Sequence, residues 1–192
     1  MKEKEFLDVV IPNKNEMEFI EMAKKLRYKK LIFLYESEKD FFQTTDLKIE
    51  IVNGIICKGE DVFKYKSKGI FVALDALELG KERIRKAFEK FKPNLIFNLE
   101  ELEAKDPLHF RAAGLDEPSA KLAAENAILI AFNFSNFLNA PAEKRALLLG
   151  RLAQNARLCR KYRANYFIAT FAREPLEMRN PRDLACFLEI LK

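Results

Sequence analysis

The residues best suited to chemistry lie in the last quarter of a 192-residue chain, and most of them are arginines. Eight of the 12 arginines fall within residues 141–192, against three of the 22 lysines. That stretch carries 11 basic residues against five acidic ones, whereas residues 1–140 hold 23 against 24, so the whole positive excess sits at the back. Lysine spread over the front suits solvation. Arginine offers a planar fork to phosphate and stacks on bases. Helical rotation brings Arg157, Arg160 and Lys161 onto one stripe with Gln154, roughly opposite Leu148, Leu152, Asn155, Cys159 and Tyr162. No acid occurs between Lys144 and Ala172 to neutralise that stripe in the local sequence, so an anionic partner is expected.

Two further arginine sites follow it. A strand read over Asn165–Thr170 delivers Arg173 just past its C-terminal end, where α/β barrels build their sites; pairing with Glu174 or Glu177 is the plainer alternative. Met178-Arg179-Asn180-Pro181-Arg182-Asp183 then places two arginines around a helix start, with Asn180 as cap, Pro181 first and Asp183 in the first turn. Helix N–H groups together with Arg179 and Arg182 suit a phosphate, although Asp183 competes for the same donors. Arg111, beside the single histidine His109, and Lys121 join the set on charge alone.

The equipment of a self-sufficient catalyst is missing. One histidine cannot furnish a zinc or two-metal hydrolase, and there is no Gly-x-Ser-x-Gly elbow and no P-loop. A carboxylate-only metal site from Asp8, Asp75 and Glu100 stays open, but these acids read better as caps and solvated groups. Cys159 shares helical spacing with Leu148 and Leu152 and reads as core. Cys57, Cys159 and Cys186 are odd in number and widely spaced, which fits a reducing interior better than a disulfide framework.

The elements that must position these side chains alternate. Apolar strand runs are read over Phe6–Ile11, Leu31–Leu34, Leu47–Val52, Gly69–Leu74, Leu95–Phe97, Ala127–Phe132 and Asn165–Thr170. Asn53-Gly54 reads as a tight turn that folds Leu47–Val52 and Ile55–Cys57 into a hairpin. Helices are read after Asn13 or Asn15 (through Met17, Phe19, Ile20, Ala23 and Leu26), over Lys81–Phe91, Ser119–Asn126 and Arg145–Tyr162 with a break at Gly150, and from Asn180 onward. About seven strands alternating with helices predict a parallel α/β fold. No Gly-x-Gly-x-x-Gly follows a strand, so a short or irregular TIM-like (β/α) barrel, one domain over 1–192, is expected rather than an open dinucleotide-binding sheet. The longest apolar run, Ala127–Phe132, is too short for a membrane span, and the reading is of a cytoplasmic protein.

The basic segment carries a resemblance. Asn155-x-Arg157-Leu158-Cys159-Arg160-Lys161-Tyr162, followed by Ala172-Arg173-x-Pro175-x-Glu177-Met178-Arg179-x-Pro181-Arg182-Asp183-Leu184, resembles the archaeal ribonuclease P protein component 3 family, relatives of the thirty-kilodalton eukaryotic subunit. The opening Phe6-x-Asp8-x-Val10-Ile11-Pro12 and Glu16-Met17 look like the start of that family; residues 35–95 match it only by alternation. The resemblance implies a TIM-like barrel that binds RNA within a ribonucleoprotein enzyme removing the 5′ leader of precursor tRNA. Its implied partners are ribonuclease P RNA, precursor tRNA and protein component 2, with magnesium held by the RNA and no cofactor held by the protein. By matching position it implies RNA contact at Arg157, Arg160, Lys161, Arg173, Arg179 and Arg182, and no catalytic residue. Where the family has small residues such as Ser-Gly, this chain has Thr170-Phe171, a departure that bears on the local loop shape. The family's barrel is similar to the polymerase-and-histidinol-phosphatase superfamily, and a metal-dependent phosphoesterase of that type is the alternative. A third reading is a scaffold whose arginine face docks an acidic protein.

Overall fold

The computed structural model describes residues 6–43 and 48–191. Its strands are β1 (Leu7–Val10), β2 (Lys30–Tyr35), β3 (Glu50–Ile56), β4 (Phe71–Asp75), β5 (Leu95–Phe97), β6 (Leu129–Asn133) and β7 (Tyr166–Ala169). Around them lie α1 (Glu16–Leu26), α2 (Asp61–Ser67), α3 (Ala76–Leu79), α4 (Lys81–Lys86), α5 (Glu117–Glu125), α6 (Phe134–Asn139), α7 (Ala142–Tyr162) and α8 (Pro181–Ile190). The strands pair in sequence order and every pair is parallel, the expected outcome when short apolar runs are covered on both faces. Residues just past β7 return to β1: Phe171 donates its N–H to Val9 O at 2.8 Å, and Ile11 donates to Ala172 O at 2.8 Å. The sheet is therefore a nearly closed, short (β/α) barrel.

Alternation along each strand sorts its side chains into two layers. Val9, Ile32, Leu34, Ala73, Leu95, Phe97, Ala131 and Ala169 fill the inside. Leu31, Phe33 and Tyr35 take the opposite parity and pack under α1 with Phe19, Ile20 and Ala23. On the other flank Ile55, Val72, Leu74, Ile96, Ile130 and Phe132 pack with residues of α4, α5 and α7. Phe171 enters the interior from the seam and stacks on Phe97, ring centroids 4.5 Å apart. Its φ is +50°, a backbone position where glycine is at ease and phenylalanine is strained. The stacked ring offsets that strain, and the Thr170 hydroxyl beside it is held in the seam.

The hairpin expected at Asn53-Gly54 does not form. Leu47 lies outside the described residues, but Asn53 and Gly54 sit in mid-strand, paired with Phe33 and Leu34 of β2. A β-carbon on Gly54 would come within 2.9 Å of Leu34 and 3.0 Å of Phe71, so this glycine serves close packing between strands. Asn53 instead donates its amide to Phe42 O at 2.8 Å. Gly150 does not break α7, which runs 21 residues, about 30 Å, without interruption. The helix read over Lys81–Phe91 is α4 followed by a π-turn at Ala87–Phe91. Asn15 does stand at the start of α1, yet its side chain is used elsewhere: Nδ2 donates to Arg173 O at 3.1 Å, tying α1 to the segment after β7. α8 begins as read, with Asn180 Oδ1 accepting from Arg182 N at 2.9 Å.

Candidate nucleic-acid interface

The C-terminal ends of the strands form the barrel mouth, where a metal-dependent relative of this fold would hold its ion. Here the mouth is an amide–carboxylate network. Asn98, with φ +63°, donates Nδ2 to both Asp75 oxygens at 3.0 Å, while Asn133 and Asn136 donate to Asn98 Oδ1 at 3.0 and 3.1 Å. Asp75 also caps α3 through Leu77 N at 2.9 Å, as read from the sequence. Glu100 is fully buried behind this network, and burial pushes its carboxyl up to about 7. Amide donors thus take up Asp75, and among the described residues no three His, Cys, Asp or Glu side chains converge in a way that would hold a metal. The donor set does not fit the ion of a phosphoesterase.

Neither Glu100 nor Asp8 is the solvated or capping acid that the sequence suggested. Asp8 shares the outward parity of Val10, so it lies beneath the outer layer rather than at the mouth. Its Oδ1 accepts from Thr170 N at 2.7 Å and Val9 N at 2.9 Å, and its Oδ2 accepts from Thr170 Oγ1 at 2.7 Å. It clamps the β1–β7 seam. Burial pushes its carboxyl up to about 6, against the pull of those hydrogen bonds.

The basic side chains lie outside the barrel, and α7 positions most of them. Leu148, Leu152, Asn155, Ala156 and Cys159 are buried, as the periodicity required, and burial pushes the Cys159 thiol up to about 12. Arg157 is exposed, with no partner for its guanidinium among the described residues. Arg160 is half-buried beside the Tyr166 hydroxyl, a long contact at 3.5 Å. Lys161 is exposed but meets Glu117 of α5 at 2.8 Å and lies over the Tyr162 ring. Lys121, on α5, lies over the same ring at 5.1 Å. The stripe is therefore partly neutralised, by acids that reach it across space and are invisible in the local sequence. Lys144 likewise meets Glu101 at 2.5 Å.

Arg111 approaches α7 from the segment between β5 and α5. Its Nη1 lies 3.4 Å from Gly150 O, and a β-carbon on Gly150 would sit 3.1 Å from the guanidinium. Gly150 is the notch that lets Arg111 lie against the helix. One turn on, Gln154 Nε2 reaches Arg111 O at 3.4 Å. Gly150, Gln154, Arg157 and Lys161 follow each other at helical spacing, so Arg111 extends the same stripe.

Past β7 the three arginines have different fates. Arg173 points outward: its backbone N–H, not its guanidinium, is held by Glu177 Oε2 at 2.8 Å. Arg179 turns inward on its own 3₁₀ turn, with Nη1 at 3.1 Å from the carbonyls of Leu176, Glu177 and Met178. A substitution there acts on the turn as well as on any RNA contact. Arg182 is exposed and shares a surface cavity of about 120 Å³ with Lys25, Arg27 and Asn180. The structure thus forms one basic strip along α7 and a second basic site where α1 ends and α8 begins.

Sequence reasoning missed Arg151, which is only 1% exposed. Its guanidinium pairs with Asp106 at 2.8 Å and donates to the carbonyls of Glu100 (2.9 Å) and Glu103 (2.6 Å). The signal was available: Arg151 falls between Leu148 and Leu152 on the buried face of the stripe, where an arginine must have a partner.

The structure is a short parallel (β/α) barrel whose basic side chains gather on the helices outside it. The family described as "RNase P subunit p30" matches residues 102–192, which include every residue of the two basic sites except Lys25 and Arg27. Ribonuclease P protein component 3 of Methanocaldococcus jannaschii is 26% identical over 189 residues, covering 91% of this chain and 78% of that protein. The protein of the same name from Natronomonas pharaonis is 30% identical over 144 residues, covering 71% and 55%. That of Thermococcus gammatolerans is 39% identical over 71 residues, 37% of this chain and 33% of its own. A chain in the cryo-EM structure of archaeal ribonuclease P with mature tRNA superposes with a TM-score of 0.74 at 21% identity, covering 96% of this chain and 82% of that one. An amidohydrolase crystal structure superposes with a TM-score of 0.59 at 9% identity, covering 97% and 69%, a likeness of fold alone. Residues 102–192 are thus similar to the RNase P p30 family, and the barrel as a whole is similar to a chain of archaeal ribonuclease P.

Proposed function

We propose that this chain is an RNA-binding protein subunit of ribonuclease P that takes part in removing the 5′ leader of precursor tRNA. The observation that carries the reading is that the family match over residues 102–192 takes in residues 141–192, the segment that holds the chain's basic excess. Arginine and lysine contacts neutralise phosphates and hold folded RNA in its active geometry, through backbone and shape more than base readout. Arg157, Arg173 and Arg182 are exposed and available for that work; Arg160, Lys161, Arg111 and Lys121 contribute beside their internal contacts, and Arg179 shapes its turn. The protein supplies no catalytic group and holds no cofactor, while magnesium belongs to the RNA. Ribonuclease P RNA, precursor tRNA and protein component 2 are its partners, in the cytoplasm. Among the described residues no helix is long and apolar enough to cross a membrane.

The direct test is precursor-tRNA cleavage at limiting magnesium by the catalytic RNA of the same organism, with and without this chain plus component 2. Stimulation that disappears when this chain is left out is the expected result. No stimulation, together with no RNA binding at low salt, would overturn the proposal.

A further inference from the structure

The segment between β5 and α5 is irregular over residues 102–116 yet firmly held at its base. Arg151 grips Asp106 and the carbonyls of Glu100 and Glu103, and Asp106 Oδ1 also accepts from Ala112 N at 2.8 Å. Asn155 Nδ2 holds Ala113 O at 2.7 Å. Gly114, at φ +81°, passes so near Leu99 O that a β-carbon would lie 2.0 Å from it. A buried arginine, a buried asparagine and a tight glycine crossing fix the two ends of this loop on the barrel.

Its tip behaves in the opposite way. Leu108 is 91% exposed and Phe110 65% exposed, although burying such side chains is worth about 1.5–3 kcal/mol each. Cations lie nearby in the chain: Lys105 and Arg111 are exposed on the same loop, and Arg157 lies two helical turns from the Gly150 notch, about 10 Å along α7. The nearby acids are already paired, Asp106 with Arg151 and Glu103 with Lys81. An exposed aromatic ring on a loop anchored at both ends, in a cationic setting with its acids paired, suits a ligand that has flat apolar faces and negative charge in alternation. Unpaired nucleotides have that chemistry. A paired duplex hides its base faces within the stack, and an acidic protein offers charge without the planar partner.

We propose that Phe110 is a stacking platform for an unpaired RNA base, with Lys105, Arg111 and Arg157 neutralising the flanking phosphates. This rests on the RNA-binding reading above and adds to it a specificity for loops, bulges or strand ends over helices. Arg151 and Gly150 are positioning residues for the platform: one holds the loop, the other admits Arg111 to the helix surface.

The chain has no tryptophan, so Phe110→Trp installs a single reporter in the full-length protein. Binding of a short labelled oligoadenylate, and of a blunt duplex of similar length, is followed by anisotropy while tryptophan emission is recorded. Tryptophan emission of Phe110→Trp is expected to be strongly quenched when oligoadenylate saturates the protein and little changed by the duplex. Phe110→Ala is expected to lose about tenfold in affinity for oligoadenylate, with an unchanged salt slope and unchanged duplex binding. Oligoadenylate bound at saturation with emission unaltered would overturn the platform and leave the RNA-binding reading standing. Equal quenching by duplex and single strand would overturn the preference for unpaired bases. No binding of either RNA at low salt would overturn both readings together.

Discussion

At Asp8, burial and hydrogen bonding act in opposite directions, and burial wins: the carboxyl rises from 3.8 to about 6 although three donors face it. The folded chain therefore binds this proton more tightly than the unfolded chain. Between about pH 4 and pH 6 the folded state holds the greater number of protons, so this group's contribution falls as pH rises through that window and is level above it. Glu100, raised to about 7 by its own burial, adds a decline of the same sign that ends near pH 7. Asp8→Asn keeps an oxygen for the two backbone N–H groups and turns an amide toward Thr170 Oγ1, without the buried charge. Urea denaturation at pH 5 and pH 7 is expected to show a smaller loss on raising the pH than in the parent, and a gain on the order of 2 kcal/mol at pH 7. An unchanged pH difference would mean that Asp8 is solvated in solution.

At the scale of elements, α7 serves two purposes with two faces. Its inner face carries Leu148, Leu152 and Cys159 into the core and Arg151 into the base of the 102–116 loop. Its outer face presents Gly150, Gln154, Arg157 and Lys161. Gly150→Ala separates the two purposes. Alanine favours a helix interior by about 1 kcal/mol, yet its β-carbon meets the Arg111 guanidinium at 3.1 Å and must displace it. The thermal midpoint is expected to hold or rise while the salt slope of RNA binding drops by about one unit. A lowered midpoint would show that Arg111 stabilises the fold through Gly150, and an unaltered slope would place Arg111 away from the RNA.

At the scale of the whole molecule, the barrel distributes its basic sites over elements far apart in sequence. Arg157 lies on α7, whereas Arg182 shares its cavity with Lys25 and Arg27 from the end of α1. If both sites touch RNA at once, their phosphate contacts add. Arg157→Ala and Arg182→Ala are each expected to lower the salt slope of ribonuclease P RNA binding by about one unit, and together by about two, with no change in thermal midpoint. A double variant no worse than either single one would show that the RNA uses one site at a time.

Much of this was legible in the sequence, because it depends on neighbours along the chain. Apolar runs of three to six residues marked the strands, the apolar face of α7 was readable by rotation, and Asn180-Pro181 marked the start of α8. The accumulation of arginine after residue 140 is a property of composition, and it pointed to the segment that the family match covers. What escaped depends on partners distant in sequence. Asn53-Gly54 has the local chemistry of a turn, but a parallel strand on either side made the glycine a packing residue. Glu117, Asp106 and Glu101 neutralise Lys161, Arg151 and Lys144 from about 40 residues away, so an acid-free stretch was not an acid-free surface. Asp8 looked like a surface acid until β7 closed on β1 and buried it against Thr170, 162 residues on. Local periodicity and composition determined the class of fold and where along the chain its basic residues gather. Which charges are spent inside the molecule, and which face outward, was decided only when the barrel closed, because pairing and burial are set by distance in space.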